Sequence, residues 1–123
     1  MKEYTTESIR NIALASHSSA GKTLLTEAFL HFTGATTRLG KVEDGTTVSD
    51  FDEEEVRRGI SIYSTVIPVE YKGIKINVLD TPGYTDFVGE MVSALLVADG
   101  AIILADSVAG LEVGTELAWD YCN

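Results

Sequence analysis

The segment Ser16-His17-Ser18-Ser19-Ala20-Gly21-Lys22-Thr23 constrains this chain more than any other stretch. It lies between a short apolar run, Ile9 to Ala15, and a stretch from Lys22 to Phe32. In the latter, Leu24, Leu25, Ala28, Phe29 and Phe32 recur at helical spacing. The run reads as a buried strand, and the stretch as an amphipathic helix stopped by Gly34. A strand that enters a helix through a loop of small residues is a β-loop-α unit, and such units build α/β sheets. Small residues let backbone N–H groups turn inward around an anion, and the helix offers its positive end there. Lys22 adds a mobile cation and Thr23 a hydroxyl able to ligate Mg2+. The spacing resembles the phosphate-loop pattern G-x-x-x-x-G-K-[ST], with Ser16 in place of the first Gly. Gly-Lys-Thr alone recurs by chance, and its bland reading is ordinary helix capping. The strand before it and the helix after it are what favour the phosphate loop.

The remaining pattern completes an open sheet. Thr36 to Gly59 is long, polar and without apolar periodicity, the kind of loop that is usually functional or mobile. A short helix over Asp52 to Arg58 is weakly signalled within it. The acidic run Asp50 to Glu55 reads as a solvated, mobile face, the alternative being that it tunes closure of this loop near a triphosphate. Ile60 to Tyr71 reads as a strand, Lys72-Gly73 as a tight turn, and Ile74 to Leu79 as the returning strand of a hairpin. Asp86 to Ala98 predicts a helix, Ala101 to Ala105 a buried strand, and Glu112 to Tyr121 a last helix whose Trp119 and Tyr121 pack on the sheet or on sequence beyond it. The order β-α-β-β-α-β-α implies an α/β, mostly parallel sheet with one antiparallel edge strand and helices on both faces. Ligands in such sheets bind at the carboxyl ends of the strands. That puts Ser16–Thr23 and Asp80–Gly83 on one rim.

On that rim Asp80 follows directly on an apolar strand. It is either a turn aspartate ahead of Pro82 or a carboxylate holding a Mg2+-bound water, and the loop beside it favours the metal role. Gly83 has no Cβ, so its N–H can approach a phosphate closely. Ser61 offers a hydroxyl near a strand start, which read alone is a solvated serine. The balance of 9 Lys+Arg against 19 Asp+Glu gives a net charge of −10. A nucleic-acid binder draws most of its affinity from phosphate neutralisation, so direct sequence-specific nucleic-acid binding by this segment is not expected. The single cysteine, Cys122, excludes an internal disulfide and fits a reducing compartment. It has no partner arrangement for metal or nucleophilic work. No stretch has the length or apolarity of a membrane span or a signal-peptide core. The default is an acidic, cytoplasmic, soluble α/β domain.

Ser-His-Ser-Ser-Ala-Gly-Lys-Thr, Val-Glu-Asp-Gly-Thr-Thr-Val-Ser-Asp-Phe-Asp (42–52), Arg-Gly-Ile-Ser-Ile (58–62) and Asp-Thr-Pro-Gly-Tyr-Thr-Asp-Phe (80–87) occur in one order. Together they resemble the N-terminal part of the GTPase domain of translation elongation factor G, and more narrowly its elongation factor G-like branch. The resemblance runs from about Ile9 to the end. It implies a P-loop NTPase fold of the translational GTPase kind, binding GTP and GDP with Mg2+ and acting on the ribosome through the full-length factor. By the same resemblance Ser16, His17, Ser18, Ser19, Ala20, Gly21, Lys22 and Thr23 form the phosphate loop. Thr36 to Ile60 is the first nucleotide-sensing switch, and Asp80, Thr81, Pro82, Gly83 and Tyr84 open the second. Thr23 and Ser61 are the implied Mg2+ ligands, with Asp80 acting through water, while Lys22, Gly83 and Tyr84 are the implied catalytic residues. The family reads guanine with an Asn-Lys-x-Asp element that residues 1–123 lack, so the resemblance implies a C-terminally truncated, N-terminal portion of a GTPase domain.

Three positions depart from the family. Ser16 stands where Ala or Gly is usual, and fits because only bulk is excluded. Ser61 stands where Thr is usual and keeps the hydroxyl. Tyr84 stands where most members carry the His that orients the attacking water. A phenol donates a hydrogen bond at neutral pH but does not become cationic as imidazole does. The expectation is nucleotide binding retained and hydrolysis altered, slow without an activating partner. Two alternatives stay open: a non-hydrolysing nucleotide switch, and a P-loop NTPase of another class. His17 reads as a loop-structuring residue, and His31 as structural.

Overall fold

The computed structural model describes residues 2–123 and shows a four-stranded sheet flanked by helices on both faces. The strands are β1 (Ile9–Ala15), β2 (Thr65–Tyr71), β3 (Ile74–Asp80) and β4 (Gly100–Ile103). The helices are α1 (Lys22–Phe32), α2 (Glu53–Arg58), α3 (Val88–Leu95) and α4 (Val113–Cys122). Strand order is β2-β3-β1-β4. β1 pairs parallel with β3, Ile9 opposite Lys75 through Leu14 opposite Asp80, and parallel with β4, Ile12 opposite Gly100 through Ala15 opposite Ile103. β2 runs antiparallel to β3 on the outer edge, so the expected single antiparallel edge strand is present. The hairpin turns at Lys72-Gly73, both at positive φ, as a tight two-residue turn matching the strand twist requires.

Alternation along β1 divides the core. Leu14 faces α1 and packs with Leu30, Ile67, Val69 and Val78. Its neighbours Ala13 and Ala15 face the other way, toward Ala94 of α3, and Met91 of α3 and Ala118 of α4, respectively. The β1 and β3 ends are fully buried at Ala13–Ala15 and Val78–Asp80, which fixes the rim from which both site segments emerge. Among the described residues no helix is long and apolar enough to cross a membrane.

Several expectations are corrected. The strand expected from Ile60 starts at Thr65; in the irregular stretch 60–64 the N–H groups of Ile62, Tyr63 and Ser64 are taken by side chains rather than by a neighbouring strand. The buried face of α1 is Lys22, Thr26, Glu27 and Leu30, not the apolar series: Leu24 and Phe32 are exposed, and Leu25 and Phe29 are half-buried. Lys22 and Glu27 take the inner face because they bond to the loops packed there, while the Thr26 hydroxyl donates back to Lys22 O. The helix expected from Asp86 begins as a 3-10 turn, Thr85–Phe87, and becomes α-helical at Val88. β4 is an exposed edge rather than a buried strand. Trp119 and Tyr121 are exposed.

Candidate phosphate and metal site

The loop after β1 owes its shape to two residues at positive φ, Ser19 (63°) and Gly21 (95°). Gly21 precedes α1 directly, and a left-handed backbone there favours glycine. Lys22 opens the helix and folds back under the loop. Its Nζ donates to Ser16 Oγ at 3.0 Å, to His17 O at 3.1 Å and more weakly to Ser16 O at 3.4 Å. Burial pulls the Lys22 ammonium down to about 8, and Asp80 nearby pulls it back up. Ser16 is buried, and its hydroxyl also donates to His17 O at 2.8 Å. Its small side chain is what lets the lysine lie there.

His17 uses its ring elsewhere. Nδ1 accepts from the Gly114 N–H at 3.2 Å, and Nε2 stands 3.6 Å from Glu112 Oε1. The imidazole thus ties the loop to the start of α4, while its carbonyl stays with Lys22. Ser18 meets the second segment: a Cβ on Gly83 would stand 2.6 Å from Ser18 N and 2.5 Å from Lys22 Nζ. Only glycine fits. Thr81 is spent on structure, its hydroxyl donating to Leu14 O at 2.6 Å. Tyr84 is 41% exposed and lines the cleft. Ser18, Ser19, Gly21, Lys22, Thr23, Gly83 and Tyr84 line one side of an open cleft of about 570 Å³. Val42, Glu43, Asp50 and the segment from Val56 to Ser61 line the other. Ala20 sits in the loop, half-buried.

Deeper in, the geometry is that of a cation site. Thr23 Oγ1 lies 3.3 Å from Ser61 Oγ, although the two residues are far apart in sequence. Ser61 Oγ donates to Asp50 Oδ1 at 2.6 Å. Beside them Asp80 is 2% exposed, and neither carboxylate oxygen finds a hydrogen-bond partner among the described residues. Burial raises Asp80 to about 6; the nearby Thr23 and Ser49 hydroxyls and Lys22 draw it down, and Asp50 pushes it up. Asp50 is itself raised, chiefly by burial and partly by Glu55 and Glu27, against the lowering bond from Ser61. An orphaned buried carboxylate is costly unless a cation or donor meets it. Two hydroxyls and acidic oxygens suit a hard divalent ion that keeps several waters and shares phosphate oxygens. These residues therefore fit Mg2+. Among the described residues no group of three or more His, Cys, Asp or Glu gathers into a self-sufficient metal centre.

The acidic residues of the long connection are not a solvated face throughout. Asp50 and Glu55 are buried. Asp52 caps α2 by accepting from Glu54 N at 2.9 Å. Glu55 Oε1 accepts from Ile62 N and Tyr63 N at 2.9 and 3.0 Å. Glu27 of α1 accepts from Gly40 N and Val48 N, and Glu90 of α3 from Ser64 N at 2.7 Å. Glu27 and Glu90 escaped the sequence reading, and Asp50 and Glu55 were read as part of a solvated run although both are buried. The available signal was the i, i+4 spacing of Thr23 and Glu27 on one helix face. His31 and Cys122 are exposed and away from the cleft.

Comparison with known proteins bears on the family and the fold. The elongation factor Tu GTP binding domain family matches residues 7–123. Elongation factor G 2 of Streptomyces coelicolor is 45% identical over 111 residues, covering 90% of this chain and 16% of its own length. Mitochondrial ribosome-releasing factor 2 of Mus musculus is 45% identical over 111 residues, covering 90% of this chain and 14% of its own. The chain thus spans a small part of the curated relatives it matches. A crystal structure from Thermus thermophilus, 45% identical, superposes with a TM-score of 0.90 over 93% of this chain and 17% of that one. The bacterial selenocysteine-specific elongation factor EF-Sec, at 22% identity and a TM-score of 0.71, covers 92% of this chain and 17% of its own, and shares the fold.

Proposed function

The chain belongs to the elongation factor Tu GTP binding domain family, and we propose that it is the N-terminal portion of the GTPase domain of an elongation factor G-like, cytoplasmic translation factor. It binds GTP and GDP with Mg2+, and the full-length protein hydrolyses GTP while acting on the ribosome. The observation that carries this reading is the unpartnered Asp80 carboxylate beside the Thr23–Ser61 hydroxyl pair, on the rim of the loop 16–23.

Loop N–H groups between Ser16 and Thr23 and the start of α1 hold the phosphates by hydrogen bonding and helix polarity. Lys22 leaves its carbonyl partners to meet the outer phosphates, which relieves the burial cost of its charge. Thr23 and Ser61 supply hydroxyl ligands, and Asp80 supplies its carboxylate through water. Bound Mg2+ would neutralise charge that develops between the outer phosphates. Gly83, pressed against Ser18 and Lys22, brings its own N–H within reach of the terminal phosphate. Tyr84, at the cleft mouth, positions the attacking water by hydrogen bonding.

Competition against labelled GDP tests the reading. GTP displaces it in a Mg2+-dependent way and ATP does not. Equal displacement by ATP overturns the guanine assignment and restores a P-loop NTPase of another class. A second reading, a slow or non-hydrolysing switch, is favoured specifically by Tyr84 at the water-orienting position. Nucleotide binding without turnover, even with ribosomes, selects it.

A further inference from the structure

Thr23 and Glu27 are one turn apart on the inner face of α1, and a ring of hydrogen bonds leaves the helix at one and returns at the other. Thr23 Oγ1 meets Ser61 Oγ at 3.3 Å, and Ser61 donates to Asp50 at 2.6 Å. Two residues before Asp50, the Val48 N–H donates to Glu27 Oε1 at 2.6 Å. The Gly40 N–H donates to Glu27 Oε2 at 3.0 Å. Glu27 is 1% exposed, so both carboxylate oxygens are committed to these amides inside the protein. The approach is close: a Cβ on Gly40 would stand 2.5 Å from Glu27 Oε2 and 2.6 Å from Thr46 O.

We infer that Glu27 is a positioning residue of the nucleotide site, whose carboxylate clamps Gly40 and Val48 so that the Asp50–Ser61 arm is held in register against Thr23. A buried carboxylate is expensive on a helix face that an apolar residue would fill at no cost. Its two backbone bonds repay that only if the placement of the connection matters. Glu27 does not line the cleft between the loop 16–23 and the segment 56–61. It acts through Val48 and Asp50 on the position of the Ser61 hydroxyl. The inference rests on the Mg2+-dependent nucleotide reading above and adds to it a residue that sets metal affinity from outside the coordination sphere.

The test is GTP binding by the protein and its E27Q variant, with Mg2+ titrated and with Mg2+ removed by chelation. The amide replaces one acceptor by a donor, so one buried N–H loses its partner, a change worth about tenfold or more in an equilibrium. The expected result is a Mg2+ midpoint raised about tenfold, with chelated GTP affinity kept within about twofold. G40A, which displaces the same carboxylate oxygen, reproduces the effect, and the double variant adds little to either alone. Hydrogen exchange at the Gly40 and Val48 amides accelerates in E27Q while β1 and β3 stay protected. An unmoved Mg2+ midpoint, or equal losses with and without Mg2+, overturns the inference, the latter by showing that Glu27 supports only the fold. Wild-type protein that binds no GTP, or binds it without regard to Mg2+, overturns the functional reading itself and the inference with it.

Discussion

Asp80 and Lys22 carry opposite charges, and burial penalises both. Asp80 moves from an ordinary 3.8 to about 6, so the folded chain holds its proton more tightly than the unfolded chain. Its contribution to stability is complete below 3.8 and is lost as pH rises through about 6. Lys22 moves from 10.5 to about 8 and holds its proton less tightly when folded. Its contribution is complete above 10.5 and is lost as pH falls through about 8. Between the two folded values both groups are charged, and each costs on the order of 3 kcal/mol relative to the same ionised group in the unfolded chain. Asp80→Asn should therefore stabilise metal-free protein at pH 7, by chemical denaturation. The advantage over wild type should shrink as pH falls through the acid limb. With Mg2+ and GTP present the order should reverse, because the carboxylate then has its cation. A difference between the two proteins that does not vary with pH would refute the titration argument. Tyr84 governs a different quantity. Tyr84→His supplies a ring nitrogen that can accept as well as donate a proton, and should raise GTP turnover in the full-length protein about a hundredfold or more, the scale of general acid–base assistance. Unchanged or reduced turnover would show that the phenol does not limit hydrolysis.

The elements divide by how their sequence signals their place. β1, α1 and the β2–β3 turn were legible because each is set by local chemistry: an apolar run, helical spacing after Gly21, and Lys72-Gly73 between two alternating strands. The loop 16–23 and Asp80–Gly83 were legible as candidate site segments for the same reason. What sequence could not reveal was the inner face of α1, where Thr26 and Glu27 displace Leu24 and Phe32 from burial. Apolar periodicity assumes that a helix packs on an apolar surface. α1 packs partly on polar backbone of the connection, whose N–H groups need acceptors. The need for such acceptors also explains why Glu55 is buried at the end of an acidic run, where it takes the Ile62 and Tyr63 N–H groups that a strand would have given to a neighbour. α2 contributes Glu55 as well as its own short length, since one carboxylate closes the capping box with Asp52 and holds Ile62 and Tyr63. Glu55→Ala removes these acceptors together. It should cost about 1–3 kcal/mol per orphaned N–H, felt locally. Amide exchange should quicken at Ile62 and Tyr63 and along α2 while the Val78–Asp80 end of β3 keeps its protection. Unaltered exchange at Ile62 and Tyr63 would mean that some other group holds the segment in place.

The whole molecule presents two sheet edges of opposite character. β2 is guarded: Pro68 offers no N–H, Glu70 pairs with Lys2 at 3.2 Å, and Lys72 stands at the turn. Proline and charge on an edge strand discourage pairing with another chain. β4, Gly-Ala-Ile-Ile, has neither. It is exposed along its first three residues, and Ile102, opposite Leu14 in the register, is 39% exposed. Leu96 and Val97 just before it, and Val108, Leu111, Val113 and Trp119 after it, add further exposed apolar surface in the flanking sequence. The curated relatives are much longer than this chain, so the bare edge bears on the 123-residue polypeptide by itself. With one edge blocked and the other bare, that polypeptide should self-associate through β4, visible as a concentration-dependent mass in sedimentation at micromolar protein. Ile102→Lys places a charge on the bare edge and should shift the distribution toward monomer. Val66→Lys, on the edge already defended, should leave it unchanged. Equal effects from both substitutions would locate the association elsewhere, and a polypeptide that stays monomeric throughout would show that an unguarded four-residue edge is too short to recruit a second chain.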